Sequence, residues 1–502
     1  MYSIGVDIGT TNCKLCVFEL PSLKLVNSFS FVTPKVITKY GSDFDITSLY
    51  NQLEKGIIGI IESLSDPEQV KNIAIASVGE SGVLIDEKGD VVGPAITWYD
   101  TRTKNNLADI NTKFSDDELY TITGIPIHSN YSLTKILWIK ENCDINLNKV
   151  KWLCIAEYIA YKLTDVKKAE PSLASRTLVY DLKNHCWSEK ISSIFKINNL
   201  FSDFVQSGKN IEKLKSSIAS KLNCSQPIYV SIGGHDHMCG SIAARLKSGE
   251  ILNSTGTTEG LLLLLKQANF DKSFLDSNLS NGQYVIDDLY TLYASLPSAG
   301  YSIEWFKRTY CVSNEDFDLL IESLFNKLSD INYIKQKLNI FIPHLRGSGP
   351  PKRNIESKGL WYGFAENSSL QDTLLAIFQG LCFELKNILI TIEKLTSTHH
   401  PIIKVIGAAA KNPVWLQLKA DILGREIVSC NIKEAVCKGA VMLAGYQNHY
   451  LDKDIDNQFE DQIVRYMPNQ QITQYYDQVF NNYYQPFYDL KTQLEFYRKK
   501  DN

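Results

Sequence analysis

The chain is expected to be an α/β protein with two large domains, and three observations predict this. Apolar strand-like runs such as 70–77 and 228–232 alternate with segments of helical spacing such as 46–65, the order expected when helices cover a sheet. At 502 residues the chain exceeds one ordinary core. Two hairpin patterns with Gly/Thr turns, at 3–18 and 251–262, lie about 250 residues apart, as two halves of one ancestral fold would. The division is expected at 1–246 and 247–502, with the polar stretch 245–249 as the joint.

Composition bounds the function. Hydrophobic residues make up 44% and charged residues 22%, the balance of a globular protein. A net charge of −4 leaves no basic footprint and argues against nucleic acid as a partner. No uninterrupted apolar run approaches the ~20 residues needed to span a bilayer, so no membrane partner is expected. Residues 1–4 lead straight into the first strand, without a basic region or cleavage site. The 11 cysteines are odd in number and scattered through apolar segments, as expected of reduced thiols in a cytoplasmic protein. Cys13 and Cys16 form a CxxC without a second pair, which points to structural thiols rather than a metal.

Taken in order, an apolar run at 4–8 meets Gly9-Thr10-Thr11-Asn12, and a second run follows at 15–18. Glycine lets the backbone approach a ligand, and consecutive N–H groups with Thr hydroxyls form a concavity suited to phosphate oxygens. Asp7 would stand beside those phosphates, tolerable mainly with Mg²⁺ or its waters between. An ordinary hairpin turn would use the same residues. The motif DxGTTxxK, from Asp7 to Lys14, resembles the first phosphate loop of the sugar-kinase, chaperone and actin superfamily, and most closely that of the FGGY carbohydrate kinases. That resemblance implies two actin-like (ribonuclease H-like) domains with a catalytic cleft between them.

A strand at 25–32, an amphipathic helix at 46–65 and a buried strand at 70–77 come next. The pieces 78–86 and 94–102 resemble the substrate side of FGGY kinases. There Glu80 and Ser81 stand where the family places sugar- or polyol-binding side chains, in a Gly-Glu-Ser stretch closer to glycerol kinases than to the Gln-Met-His of xylulokinases. A carboxylate suits adjacent hydroxyls because it accepts two hydrogen bonds; a turn cap is the alternative for Glu80. Trp98 and Asp100 supply an aromatic face and a carboxylate, although Asp100 with Arg102 also fits a structural pair. Tyr131 precedes the family's KxxW helix as a candidate lid residue. Residues 151–163 have helical periodicity, and 172–181 match a framework stretch of the family.

At 228–232 β-branched residues lead into Gly233-Gly-His-Asp236-His237 and a small-residue helix. In the family the acid of the matching GGxD is the general base, which implies that role for Asp236. No Cys or carboxylate flanks His235 and His237 at ligand spacing, so no metal site is expected there; His237 is either a substrate contact or a surface histidine. The second hairpin carries Gly256 and Thr257 in its turn. A strand at 290–295 and a helix opening at 299–302 follow. At 347–351 the chain has Gly-Ser-Gly-Pro-Pro where family members carry a GERxP-like sequence. Residues 370–389 form a long amphipathic helix. The segment 402–424 resembles the family's adenosine motif and contributes Gly407, Ala408, Lys411 and Asn412. Ala408 and Ala409 replace glycines, and each methyl is expected to crowd the ligand face. A small-residue helix at 434–444 is expected to pack under this site, and the tail from 450 onward is polar and helical towards 496.

The resemblance covers essentially the whole chain. It implies ATP-dependent phosphorylation of a sugar or polyol hydroxyl, a pentulose such as xylulose first. A polyol kinase, a sugar-acid kinase or a weakly active sugar-binding relative stand as alternatives. ATP and Mg²⁺ are the implied cofactors, with Thr10, Thr11 and Thr257 on the phosphates. A homodimer is compatible with the family.

Overall fold

The computed structural model describes residues 1–222, 224–286, 288–452 and 463–500, so part of the polar tail lies outside the described residues. Two sheets dominate. The first is built from β1 (Tyr2–Ile8), β2 (Asn12–Glu19), β3 (Lys24–Val32), β4 (Val70–Ser77), β5 (Asn210–Lys213) and β6 (Tyr229–His235), in the order β5-β6-β4-β1-β2-β3. The second contains β7 (Ile251–Thr255), β8 (Glu259–Leu265), β9 (Ser280–Gln283), β10 (Tyr290–Leu296), β11 (Ile402–Gly407), β12 (Glu426–Cys430) and β13 (Ile463–Tyr466), in the order β9-β10-β8-β7-β11-β12-β13. In each sheet an antiparallel hairpin, β1-β2 or β7-β8, is flanked by parallel strands, β4 or β11. The pattern read at 3–18 and 251–262 is therefore a repeat of topology as well as of sequence.

The helices that matter to the cleft are α1 (Ser132–Asn142), α2 (Asp236–Ala243), α3 (Gly300–Thr309), α4 (Leu370–Thr396), α5 (Pro413–Leu423) and α6 (Ala435–Gln447). Among the described residues α4 alone is long and apolar enough to cross a membrane, but 83% of its most apolar window is buried within the protein. It is a core helix of the second half, its Ile377 and Phe378 clustered with Phe341 and Trp415. All 11 cysteines are free thiols.

One expectation needs correction and another extension. Residues 151–163 are not one helix. Lys151–Cys154 is a strand paired with Gly82–Ile85, and the helix begins at Ile155. Trp152 and Leu153 are drawn into the sheet, and the Glu157 carboxylate takes the Cys154 N–H at 2.7 Å to start the helix there. The helix expected under the adenosine motif is α6: its Cys437 and Val441 cluster with Ile406 and Val428 there, and it also crosses back to the first half. Its small residues let it lie on β1, β4 and α2: Ala440 and Ala444 cluster with Ala74, Ala76 and Cys239. A Cβ on Gly439 would overlap the carbonyl oxygen of Cys239. The two helices α2 and α6 thus form the seam between the halves.

Candidate active site

Strand register brings the sequence motifs together. Ile8 and His235 both pair with Ser77, from opposite sides of β4. The carboxyl ends of β1, β4 and β6 therefore open on one edge of the sheet, as ligand sites of open α/β sheets do. That edge carries the turn at 9–11, the loop at 78–81 and Asp236. Gly79 lies so close to His235 that an added Cβ would sit 2.7 Å from the ring Cδ2.

Asp236 is the first residue of α2, where the helix dipole favours a negative charge. Oδ1 takes the His237 N–H at 2.6 Å and lies 3.0 Å from His235 Nδ1. Burial alone would raise its pKa. His237, His235 and the hydrogen bonds outweigh burial and hold the carboxyl below the usual range, so it is ionised near neutrality. The His237 ring is fixed by Ser254 Oγ at 3.2 Å on Nδ1 and by Tyr293 OH at 3.4 Å on Nε2. Burial lowers the His237 pKa, whereas Asp236 overcomes burial and raises that of His235.

Asp7 is half-buried and its Oδ1 has no hydrogen-bond partner. Burial first, and then the charge of Asp236, push its carboxyl up to about 8. An orphaned carboxylate oxygen facing a second acid is an arrangement that a divalent cation or its waters would relieve, so the donor set fits Mg²⁺. Among the described residues no group of three or more His, Cys, Asp or Glu forms a complete metal cage, and a cation here would rely on phosphate and water for its other ligands. Lys14, opposite Asp7 in the β1-β2 register, is held by Glu434 at 2.7 Å. That pair ties the first phosphate loop to the start of α6. The turn itself is braced from behind: Thr33 donates its hydroxyl to the Gly9 carbonyl at 2.7 Å and its N–H to the Thr11 carbonyl at 2.9 Å. Thr11 and Asn12 remain exposed.

On the acceptor side the expected residues separate into two groups. Glu80 sits at the loop tip with φ 64°, a region costly for a residue with a side chain and frequent at functional sites. Its Oε1 takes Arg176 Nε at 2.8 Å. Arg176 lies 5.1 Å from the Tyr131 ring centroid and 5.9 Å from that of Tyr293. Tyr131 caps the start of α1, and its hydroxyl meets Ser280 Oγ of the second half at 3.4 Å. Trp98 donates its indole N–H to Thr10 Oγ1 at 2.8 Å, joining the acceptor side to the phosphate turn. The other two residues face inward. Ser81 is fully buried and its hydroxyl donates to the Ile96 carbonyl at 3.1 Å. Asp100 spends its carboxylate on the Ser42 N–H, the Arg102 N–H and the Arg102 guanidinium. Neither offers a free group to a ligand: Ser81 braces the loop, and Asp100 with Arg102 is the structural pair.

In the second half Thr255 and Gly407 are register partners, which sets the second hairpin turn beside the adenosine motif. Gly256 and Thr257 are exposed at the tip, and their carbonyls receive the first N–H groups of α3, Gly300 N to Gly256 O at 3.1 Å and Tyr301 N to Thr257 O at 3.1 Å. Gly407 has φ 85°, and a Cβ there would overlap the Thr255 carbonyl; this is the position that requires glycine. Ala409 is fully buried, its methyl turned into the core, while Ala408 is exposed. Only one of the two extra methyls therefore lies on the open face. Lys411 is exposed, and Asn412 caps α5 by accepting the Trp415 N–H at 3.0 Å. Below them a fully buried Lys419 binds Glu259 and Asn253, connecting α5 to the second hairpin.

Sequence reasoning missed Arg176, taken there as framework, and with it Tyr293 and Ser254. The one available signal was a lone Arg within an otherwise small and apolar stretch, Ser172-Leu-Ala-Ser-Arg176. It also missed the support behind Asp236. Glu170 takes the Ser172 hydroxyl at 2.6 Å, and Ser172 Oγ in turn receives the His235 N–H at 2.9 Å.

Comparison with known proteins agrees with this geometry. Residues 2–243 match the N-terminal domain of the FGGY family of carbohydrate kinases, and residues 251–448 match its C-terminal domain. The chain is 28% identical to a xylulose kinase of Bacillus subtilis, covering 99% of each chain. It is 24% identical to a gluconokinase of the same organism, covering 90% of this chain and 88% of the other. Among solved structures, a ligand-bound xylulose kinase from Lactobacillus acidophilus superposes with TM-score 0.85 at 21% identity, covering 97% of this chain and 98% of that one. With both family domains present in order over most of its length, the chain belongs to the FGGY family of carbohydrate kinases.

Proposed function

We propose that this kinase transfers the γ-phosphoryl group of ATP to a hydroxyl of a small acyclic-chain carbohydrate, a pentulose such as xylulose being the first acceptor. The observation that carries the reading is the shared edge: an ionised Asp236, the Glu80–Arg176 pair and the Asp7–Thr10 turn all open from the ends of three adjacent parallel strands. The names of the similar proteins, xylulose kinase and gluconokinase, support the acceptor class.

Phosphoryl transfer depends on positioning and charge neutralisation more than on covalent chemistry. Backbone N–H groups with Thr10, Thr11 and Thr257 would hold the β- and γ-phosphates. Gly407, Ala408, Lys411 and Asn412 would border the adenosine. Mg²⁺ bound near Asp7 would offset the phosphate charge. Asp236 would receive the hydroxyl proton as the oxygen attacks, with Glu80, Trp98, Tyr131 and His237 around the acceptor. Closure of the two halves about α2 and α6 would exclude water, the competing acceptor.

The test is a panel of ketoses, aldonates and polyols incubated with ATP and Mg²⁺, read by product mass and ADP release. Acceptor-stimulated ADP release with a mass gain of one phosphoryl group is expected. ADP release that no acceptor stimulates would point instead to a conformational ATPase of the same fold.

A further inference from the structure

Resting on the kinase reading above, we propose that Arg353 is a specificity-determining residue that reaches the acceptor from the second half and reads a carbonyl or carboxylate oxygen, so that ketoses and aldonates are favoured over plain polyols.

Arg353 lies two residues beyond the segment 347–351 that departs from the family's GERxP-like sequence, and its turn is built to hold it. Ser348 donates its hydroxyl to the Lys352 carbonyl at 2.8 Å and its N–H to the Asn354 carbonyl at 2.9 Å, and its Oγ accepts the Asn354 N–H at 2.8 Å. Arg353 is therefore the projecting residue of a turn pinned on both sides. The turn is docked at the acceptor wall: the Pro351 carbonyl takes Asn278 Nδ2 at 3.2 Å, and two residues on, Ser280 meets the Tyr131 hydroxyl. Lys352 is committed to Asp489 at 3.0 Å. Arg353 has no hydrogen bond or ion pair with any described residue, yet its charge acts on His128 and is acted on by Tyr131, Arg176 and Glu80. It remains open to water while Tyr131 is almost wholly buried, so it stands on the solvent side of that group.

The chemistry of this wall is lopsided. Glu80 and Arg176 balance each other, and Lys135 is buried against the Asn130 carbonyl, so Arg353 is an uncompensated cation. A guanidinium has five donors and no acceptor. A carbonyl or carboxylate oxygen only accepts and satisfies it fully, and a carboxylate does so with two parallel bonds. A polyol hydroxyl must also find an acceptor for its own proton, and Glu80 is already shared with Arg176. The like charge of Arg176 acts on it as well, a tension that an electron-rich oxygen relieves.

The experiment measures kcat/KM for D-xylulose, D-gluconate, xylitol and glycerol with the wild-type chain, Arg353→Ala and Arg353→Lys. In the wild type, xylulose or gluconate should exceed xylitol by about 10-fold or more; which of the two leads shows whether the group read is a ketone or a carboxylate. Arg353→Ala should collapse that ratio by about 10- to 100-fold, the range for losing a charged hydrogen bond, with KM for ATP unmoved. Arg353→Lys should recover more of the gluconate rate than of the xylulose rate, because a point charge serves a carboxylate. An unchanged ratio, or an equal loss on all four acceptors, overturns the proposal. If no acceptor is phosphorylated, the kinase reading itself fails. Calorimetric titration of the wild type and Arg353→Ala with xylulose and gluconate then decides separately, identical affinities for both ligands in the two chains overturning the role of Arg353.

Discussion

The indole N–H of Trp98 donates to the hydroxyl of Thr10 at 2.8 Å, so a residue expected to face the sugar is fastened to a residue expected to face the phosphates. Eighty-eight residues separate them, and the bond makes the acceptor wall and the phosphate turn one mechanical unit.

Trp98→Phe keeps the ring and removes the donor, and Thr10→Val keeps the shape and removes the acceptor. Each should raise KM for ATP by roughly 3- to 10-fold, the cost of a net hydrogen bond of about 1 kcal/mol. In a double-mutant cycle the two effects should be less than additive by at least 0.5 kcal/mol, on the order seen for residues in contact. Additive effects would show that the two sites are not linked through this bond.

Asp236→Asn removes the proton acceptor and preserves the helix start. Turnover should fall by about 10²-fold or more, the scale of a lost general base, while ATP affinity stays nearly unchanged. Because its neighbouring histidines hold the Asp236 pKa low, the carboxylate is already charged at mildly acidic pH. Any fall in kcat between pH 7 and 5.5 should then belong to another group and persist in the residual activity of Asp236→Asn. Near wild-type turnover in Asp236→Asn would make the residue structural.

How much of this was legible in the sequence depended on distance along the chain. The phosphate turn and the strand-GGxD-helix unit are made of neighbours, so glycine spacing and apolar runs sufficed to place Asp7, Thr10 and Asp236. For Asp100 the sequence left a sugar ligand and a structural pair both open, because its partners include the N–H of Ser42, 58 residues away. Arg176 went unseen because its partner Glu80 is 96 residues distant. Residues 151–154 have helical spacing, but pairing with 82–85 overrode it. The direction of the Ala409 methyl was set by the tight turn at Ala408–Lys411, which no residue count reveals.

Asp7 gives the fold a pH dependence of definite sign. Its carboxyl is raised from 3.8 to about 8, so the metal-free folded chain keeps a proton that the unfolded chain loses near pH 4. The stabilising contribution is fully present below about pH 4 and is lost as pH rises through about 8. Between those limits stability should decline by up to about 1.4 kcal/mol per pH unit from this group. Urea midpoints in chelator should therefore fall from pH 5 to 8.5 in the wild type and fall less in Asp7→Asn. With Mg²⁺ and ATP present the ranking should invert, since the charged carboxylate is then the better partner. Parallel midpoints for both chains in chelator would mean that Asp7 is ionised throughout.

Glu80 poses the sharpest test, because two explanations of its place at the loop tip predict different measurements. As a substrate ligand it should grip a pair of hydroxyls, and Glu80→Ala should raise the sugar KM by roughly 10- to 100-fold with KM for ATP almost unmoved. As a turn cap it should lower the melting temperature and leave the sugar KM alone. The Arg176 contact complicates a single substitution: both side chains are nearly enclosed, at 12% and 11% exposure, and truncating Glu80 strands a guanidinium at a cost on the order of 3 kcal/mol. Glu80→Ala should thus lose stability under either explanation. Adding Arg176→Met removes the stranded charge, and the double variant should regain much of the melting temperature. If Glu80 binds the acceptor, the sugar KM of that double variant stays high although the fold has recovered. If the sugar KM returns with the melting temperature, Glu80 only supports the loop, and the acceptor is held by other residues of the wall.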